Sequence, residues 1–394
     1  MSGTESRPAG KIGRRLFGTA RRLAPALPPH AGGSFSPGVH GARGLFASFV
    51  VIYHAANSGL PVWDMPDVLQ QGLLSLKYGV ELFFAISGFV IIGTLGRART
   101  AWQFLLNRAT RIYSVLWVLL AIFVPLGLIF GRERVVGFSG AELVLVFLGN
   151  MFTLGPLLPI PVLYGPAWTL CFEFAFYALC FLYLAGRQYL NVDLRIPLVL
   201  LGAWVITTEP RAMFFLSGVI VASGALNRPL LGKLAAEPLV WVLAFLAVWQ
   251  AGSAERPPFF PPMYAWDGWQ WLRGICAFIA ATMAIHGIAQ GRGLLGRVLQ
   301  TSPLMWLGTI SYSLYLWHLM PMAVIKAAMY KFGINHLAGG SSQLVLLLLT
   351  IPPALVMAAL SQHFLENRLA TWLRRRLGGR LEKAPRTARP VLAD

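Results

Sequence analysis

The sequence predicts an all-α polytopic membrane protein, with about ten transmembrane helices and both termini cytoplasmic. Three observations predict it. The 394 residues are 56% hydrophobic and only 12% charged, about half the charge of a soluble chain. The hydrophobic residues gather into runs long enough to cross a bilayer. The formal charge of +18 is placed mainly in the two tails and in alternate short loops, as the positive-inside rule requires. That placement argues against nucleic acid as the partner and for membrane lipid.

In order, residues 1–40 are rich in Pro, Gly, Arg and Ala, and read as a disordered basic cytoplasmic tail. Residues 41–368 form the membrane domain, and residues 369–394 a second basic cytoplasmic tail. The first span is expected over roughly 42–59 and the second over roughly 78–96, joined by an outer loop carrying Asp64 and Asp67. Trp102, Phe104 and Leu105 read as part of an interfacial helix before a third span over roughly 112–130. The apolar stretch 141–154 is short and runs into Gly155-Pro156-Leu157-Leu158-Pro159-Ile160-Pro161, which no helix interior tolerates. Counting it as a crossing would invert every later loop, so residues 141–161 read as re-entrant or surface-lying. Spans four to ten follow over roughly 164–185, 196–208, 211–226, 237–252, 271–289, 304–327 and 343–365. An outer loop at Glu255-Arg256-Pro257-Pro258 separates the seventh from the eighth. Cys171, Cys180 and Cys276 fall inside apolar segments without metal-ligand spacing, and read as small core residues.

Several ionisable groups sit where the bilayer makes them expensive, and each is a functional candidate for that reason. Arg43 and His54 are eleven residues apart, about three turns and roughly 16 Å along one stripe of the first helix. That puts the arginine at the inner headgroups and the histidine about halfway across. Glu81 lies about one turn below the outer surface, on the stripe of Gly88, where a second helix could approach closely. It reads either as a snorkelling surface carboxylate or as part of a site. Thr169, Glu173 and Tyr177 share a face of span four, with Glu173 close to the expected depth of His54. Ser311, Tyr315 and His318 share a face of span nine, and each alone reads as interhelical glue. Glu366 falls at the inner interface, where a structural reading is favoured.

Taken together, these stretches resemble acyltransferase family 3, the bacterial membrane acyltransferases that O-acylate O-antigen, exopolysaccharide, Nod factors and macrolides. The matching stretches are the arginine–histidine first span, Phe83-Phe84-Ala85-Ile86-Ser87-Gly88-Phe89, Arg108-Ala109-Thr110-Arg111-Ile112, Trp168-Thr169-Leu170 through Glu173 to Tyr177, and Ser311-Tyr312-Ser313-Leu314-Tyr315-Leu316-Trp317-His318. They occur in the family's order over roughly residues 41–368. Asn107 stands where the family often has a first arginine, and no proline follows Ile112. The resemblance implies a ten-span fold in the bacterial cytoplasmic membrane, an acyl-coenzyme A donor (acetyl-CoA by expectation), no metal, and a carbohydrate or lipid-linked glycan acceptor. It implies that the family's essential arginine and histidine fall on Arg43 and His54, and its span-four glutamate on Glu173. Some relatives carry an esterase-like extracytoplasmic domain, for which the stretch after residue 366 is expected to be too short.

Acyl transfer from a thioester to a hydroxyl needs a base, an oxyanion donor and a hold on an anionic donor molecule. Imidazole suits the first task, and a carboxylate could orient it and stabilise the imidazolium. His54 is therefore expected as general base, with Glu173 as its orienter. Tyr315 or Ser311 is expected to donate to the oxyanion. Arg43, Arg108 and Arg111 are expected to hold the phosphates of coenzyme A, although Arg108 and Arg111 also fit ordinary positive-inside topology. A polar seam through a bundle also suits a transporter or a flippase of a lipid-linked sugar. Against that reading, the sequence shows neither an inverted repeat nor a matched pair of broken helices. A non-catalytic sensor or scaffold is the third reading, opposed by the retention of His54 and Glu173.

Overall fold

The computed structural model describes residues 35–378, apart from Trp63 and residues 252–261. Residues 1–34 of the expected 1–40 tail, the loop at Glu255-Arg256-Pro257-Pro258 and residues 379–394 lie outside the described residues, and residues 37–40 of that tail are helical. Among the described residues the chain is helical throughout, with no strand.

The first helix, α1 (Pro37–Ala56), begins five residues before the sequence reading placed it. Ser36 caps it by accepting the Val39 amide at 3.3 Å, and Pro37 follows at the first helical position, where a missing N–H costs nothing. The earlier start changes the depths of both candidate residues. Arg43 is nearly two turns inside the helix rather than at its entrance, and His54 lies in its last turn rather than halfway across.

The helix α2 (Gly79–Leu95) completes an apolar helical stretch that begins at Asp67. Next, α3 (Ala101–Ile129) is one 29-residue helix capped by Thr100, so Trp102, Phe104 and Leu105 belong to its first turns and not to a separate interfacial helix. The 12 residues of α4 (Gly140–Met151) span about 18 Å, too short for a core about 30 Å thick. After α4 the chain doubles back. Asn150 donates to Pro161 O and accepts from the Leu163 amide, replacing the backbone bonds that the proline-rich stretch lacks.

The remaining longer helices are α5 (Trp168–Ala185), α6 (Arg195–Thr208), α7 (Met213–Ala222), α8 (Pro238–Gln250), α9 (Gly268–Ala289), α10 (Ser302–Trp317), α11 (Leu319–Lys331), α12 (Ser342–Ser361) and α13 (Ala370–Gly378), with shorter turns of helix between them. The expected ninth span is thus two helices meeting at His318. Pro321 has no N–H to give to Trp317 O, so the helical ladder skips a rung there. Among the described residues five helical stretches are long and apolar enough to cross a membrane: 67–95, 101–129, 165–190, 268–289 and 334–378. The helices α4, α6 and α8, and the stretch 210–222 that includes α7, are apolar but shorter.

Hydrogen bonds sort the helix ends into two sets. At one end of the bundle Ser36 donates to Ala289 O, the Ala101 amide donates to Gln188, and Arg292 donates to Gly232 O. At the other end Gln250 donates to Gln71, Lys326 to Ser58 O and Gln343 to Leu60 O.

The crossings of α2 with α7 and of α1 with α10 are close enough to require glycine. Gly88 of α2 and Gly218 of α7 each face the other helix's backbone, and a Cβ on either would collide with a carbonyl oxygen. Gly88 therefore does what its stripe predicted. On α1, a Cβ at Gly44 would lie 2.7 Å from the Gly308 nitrogen of α10. That contact fixes α1 against α10. Cys171 is buried and Cys180 half-buried, but Cys276 is exposed, so the core reading fails for the third cysteine.

Candidate active site

Arg43 from α1, Arg108 and Arg111 from α3, Glu173 from α5, and Ser311 and Tyr315 from α10 line one cavity of about 60 Å³. It has room for a few water molecules or a small acyl group. Phe83, Phe84 and Ile86 of α2 supply an apolar wall. Six of the seven candidate site residues therefore meet in one place, and His54 is the one outside it.

The cavity is strongly cationic, but its cations are incompletely paired. The buried Nε atoms of Arg43 and Arg108 have no hydrogen-bond partner among the described residues. Arg108 is positioned by donating to Thr94 Oγ1 at 2.7 Å and by lying over the Tyr177 ring at 5.7 Å. Two carboxylates act on the arginines through space. Glu173 acts on all three, and Glu366 on Arg43 and Arg111. A buried N–H without an acceptor is costly, so such a pair of guanidinium groups is poised for an anion.

Glu173 is held by its own surroundings. Tyr177, one turn on, donates to its Oε1, and Ser87 of α2 donates to the same atom at 3.2 Å. No hydrogen bond joins it to His54, so its expected orienting role is not what the geometry provides. Depth along a helix axis does not say which helices are neighbours, and α1 packs on α10 and α2 rather than on α5.

His54 meets His318 instead. His318 Nε2 lies 3.2 Å from His54 Nδ1, with ring centroids 4.9 Å apart. Val50 O lies 2.8 Å from the same His54 nitrogen, and Tyr315 O lies 2.8 Å from His318 Nδ1. His318 is completely buried, whereas His54 is partly exposed. Tyr315 stands between the two places, lining the cavity while its ring lies 6.3 Å from that of His318.

The expected oxyanion donors are already occupied. Tyr315 OH donates to Pro166 O at 2.9 Å, and Ser311 Oγ donates to Gly308 O at 2.9 Å. A hydroxyl has one proton to give, so both side chains tie helices and loops together as they stand. Glu366, half-buried, accepts from Ser313 Oγ at 2.6 Å, a structural role as its position suggested. Glu81 does not snorkel outward. It is 1% exposed and ion-paired with Arg211 Nε at 3.3 Å, and Arg211 lies over Trp168 at 4.8 Å. Among the described residues no group of three or more His, Cys, Asp or Glu could hold a metal ion.

The bundle thus encloses an arginine-lined cavity with a histidine pair beside it. The profile of the acyltransferase domain known as acyltransferase family 3 matches residues 36–361, and the chain belongs to this family. It therefore carries an acyltransferase domain of that family. Two relatives carry the name of one activity. The peptidoglycan O-acetyltransferase OatA of Listeria monocytogenes is 25% identical over 335 residues, covering 72% of this chain and 49% of that protein. The putative peptidoglycan O-acetyltransferase YrhL of Bacillus subtilis is 33% identical over 101 residues, covering 25% of this chain and 15% of that protein. The chain thus spans about half the length of the first relative and less of the second. No solved structure matches it significantly.

Proposed function

We propose that the protein moves an acetyl group from acetyl-coenzyme A to a hydroxyl of a carbohydrate acceptor, a glycan or its lipid-linked precursor, in the bacterial cytoplasmic membrane. The observation that carries this reading is the separation of two functions along α1. Arg43 opens on the cationic cavity, and His54 stands about three turns further on. Coenzyme A has the same layout, with phosphates at one end of a long arm and the thioester at the other. Arg43, Arg108 and Arg111 hold the anionic end, where planar guanidinium groups suit phosphate oxygens. The two ends of the bundle support ten crossings with cytoplasmic termini. The end holding Arg292, Gln188 and the start of α1 is the cytoplasmic one, and the donor enters from there.

His54 acts as general base. Its Nε2 takes the acceptor hydroxyl's proton while the oxygen bonds to the thioester carbonyl carbon. The tetrahedral intermediate then collapses, the C–S bond breaks, and the proton passes to the departing thiolate. The acceptor reaches His54 from the outer end. The OatA and YrhL relatives, both named for peptidoglycan O-acetylation, support a carbohydrate acceptor. The test is acetyl-CoA turnover by the purified protein with and without a glycan acceptor. Loss of turnover in His54→Ala with retained donor binding is expected, and a fully active His54→Ala would overturn the assignment.

A further inference from the structure

The His54–His318 contact fixes more than a distance, because two of the atoms around it have only one possible role. Val50 O and Tyr315 O are carbonyl oxygens and can only accept. The His54 nitrogen facing Val50 O at 2.8 Å must therefore carry a proton, and so must the His318 nitrogen facing Tyr315 O at 2.8 Å. In neutral rings this leaves His318 Nε2 bare, 3.2 Å from the His54 Nδ1–H. It also leaves His54 Nε2 bare and uncommitted, the lone pair that a general base requires.

We infer that His318 is the positioning residue of His54. Its Nε2 lone pair shares the His54 Nδ1–H with Val50 O in a three-centre bond, helps to hold the ring with Nε2 turned to the acceptor, and shares the charge when His54 takes up a proton. This role rests on the reading of His54 as the base. A neutral imidazole does here the work that a carboxylate does in the serine-hydrolase triad, and it suits a completely buried position, where a carboxylate would be expensive. The sequence supports the geometry. His318 stands where Pro321 breaks the helix, and its Nδ1 is anchored on the carbonyl three residues back, so the ring cannot turn without losing that bond.

The test exploits two amides that reproduce different halves of an imidazole. In His318→Asn the amide reaches the Nδ1 position, so it keeps the bond to Tyr315 O but offers His54 no acceptor. In His318→Gln the amide oxygen reaches the Nε2 position and restores the acceptor. Acetyl transfer is measured on the full chain in nanodiscs, with kcat and the KM for acetyl-CoA determined separately and Tm recorded for each variant. His318→Asn is expected to lose kcat by about 10- to 100-fold at unchanged KM, as for other outer partners of a reacting group, with His318→Gln within about threefold of wild type. A wild-type kcat in His318→Asn, or equal losses in Asn and Gln at unchanged Tm, would overturn the inference. A measurement on the wild-type chain does not depend on variant folding. Nitrogen-15 histidine NMR should show His54 and His318 each protonated at Nδ1, and a proton on Nε2 of either neutral ring would also overturn it. Failure of the base assignment itself has a separate signature, an active His54→Ala.

Discussion

Ser87 of α2 donates to Glu173 of α5 across 3.2 Å, and Tyr177 donates to the same carboxylate oxygen. Glu173 is thereby tied into the wall of the arginine cavity, and His54 is tied to His318. Groups that share no partner act nearly independently. The losses caused by His54→Ala and Glu173→Gln are therefore expected to multiply. His54→Ala should cost about 10²–10⁴ in rate as a lost general base. Initial acetyl-transfer rates of the four members of this cycle, at matched expression, decide it. A double variant no worse than His54→Ala alone would mean that the two residues work as one unit.

The unpaired guanidinium nitrogens make a prediction about the donor. Arg43→Ala and Arg108→Ala are expected to weaken acetyl-CoA binding by about 10- to 100-fold each, the scale of one charged hydrogen bond. Lysine should rescue neither fully, because a point charge cannot make two planar contacts. Arg374→Ala is the control, since Arg374 donates to Thr371 within α13. Calorimetry with acetyl-CoA on purified variants reads the affinities. Equal affinity in all three alanine variants would leave these arginines with topology alone.

Gly88 packs against the α7 backbone at Phe215, with no space for a Cβ. Gly88→Leu should therefore lower Tm in detergent, by the equivalent of about 1–3 kcal/mol or more, since backbone must move to admit it. Gly72→Ala, where nothing lies within 4 Å, should leave Tm unchanged. A Gly88→Leu protein as stable as wild type would refute the close crossing.

The sorting of helix ends predicts topology. Reporters fused at Arg228 and Arg297 should report the cytoplasm, and one fused at Gln71 the outer side, because Gln71 bonds Gln250 at the opposite end of the bundle. A cytoplasmic signal at Gln71 would break the alternation.

Composition and loop charge made the helical membrane class legible in the sequence, because a bilayer leaves an apolar run few other outcomes. The expense of burying charge singled out Glu173, the family resemblance and the chemistry of an anionic donor singled out Arg43, Arg108 and Arg111, and the structure gathers the four into one cavity. Spacing also identified Gly88 as a close crossing. What spacing could not supply was azimuth and neighbour. His54 and Glu173 were paired by depth, yet depth is one coordinate of three. The glycine contact that lays α1 on α10 brings His54 to His318. The cap at Ser36 shifted every depth counted along α1. Whether a hydroxyl has a proton to spare, as with Tyr315 and Ser311, depends on carbonyls that no spacing rule locates. Residue types and their order thus determined which groups would be buried in the membrane. Only the packing of helices decided which of them touch, because a hydrogen bond requires position in three dimensions and the sequence fixes position along one.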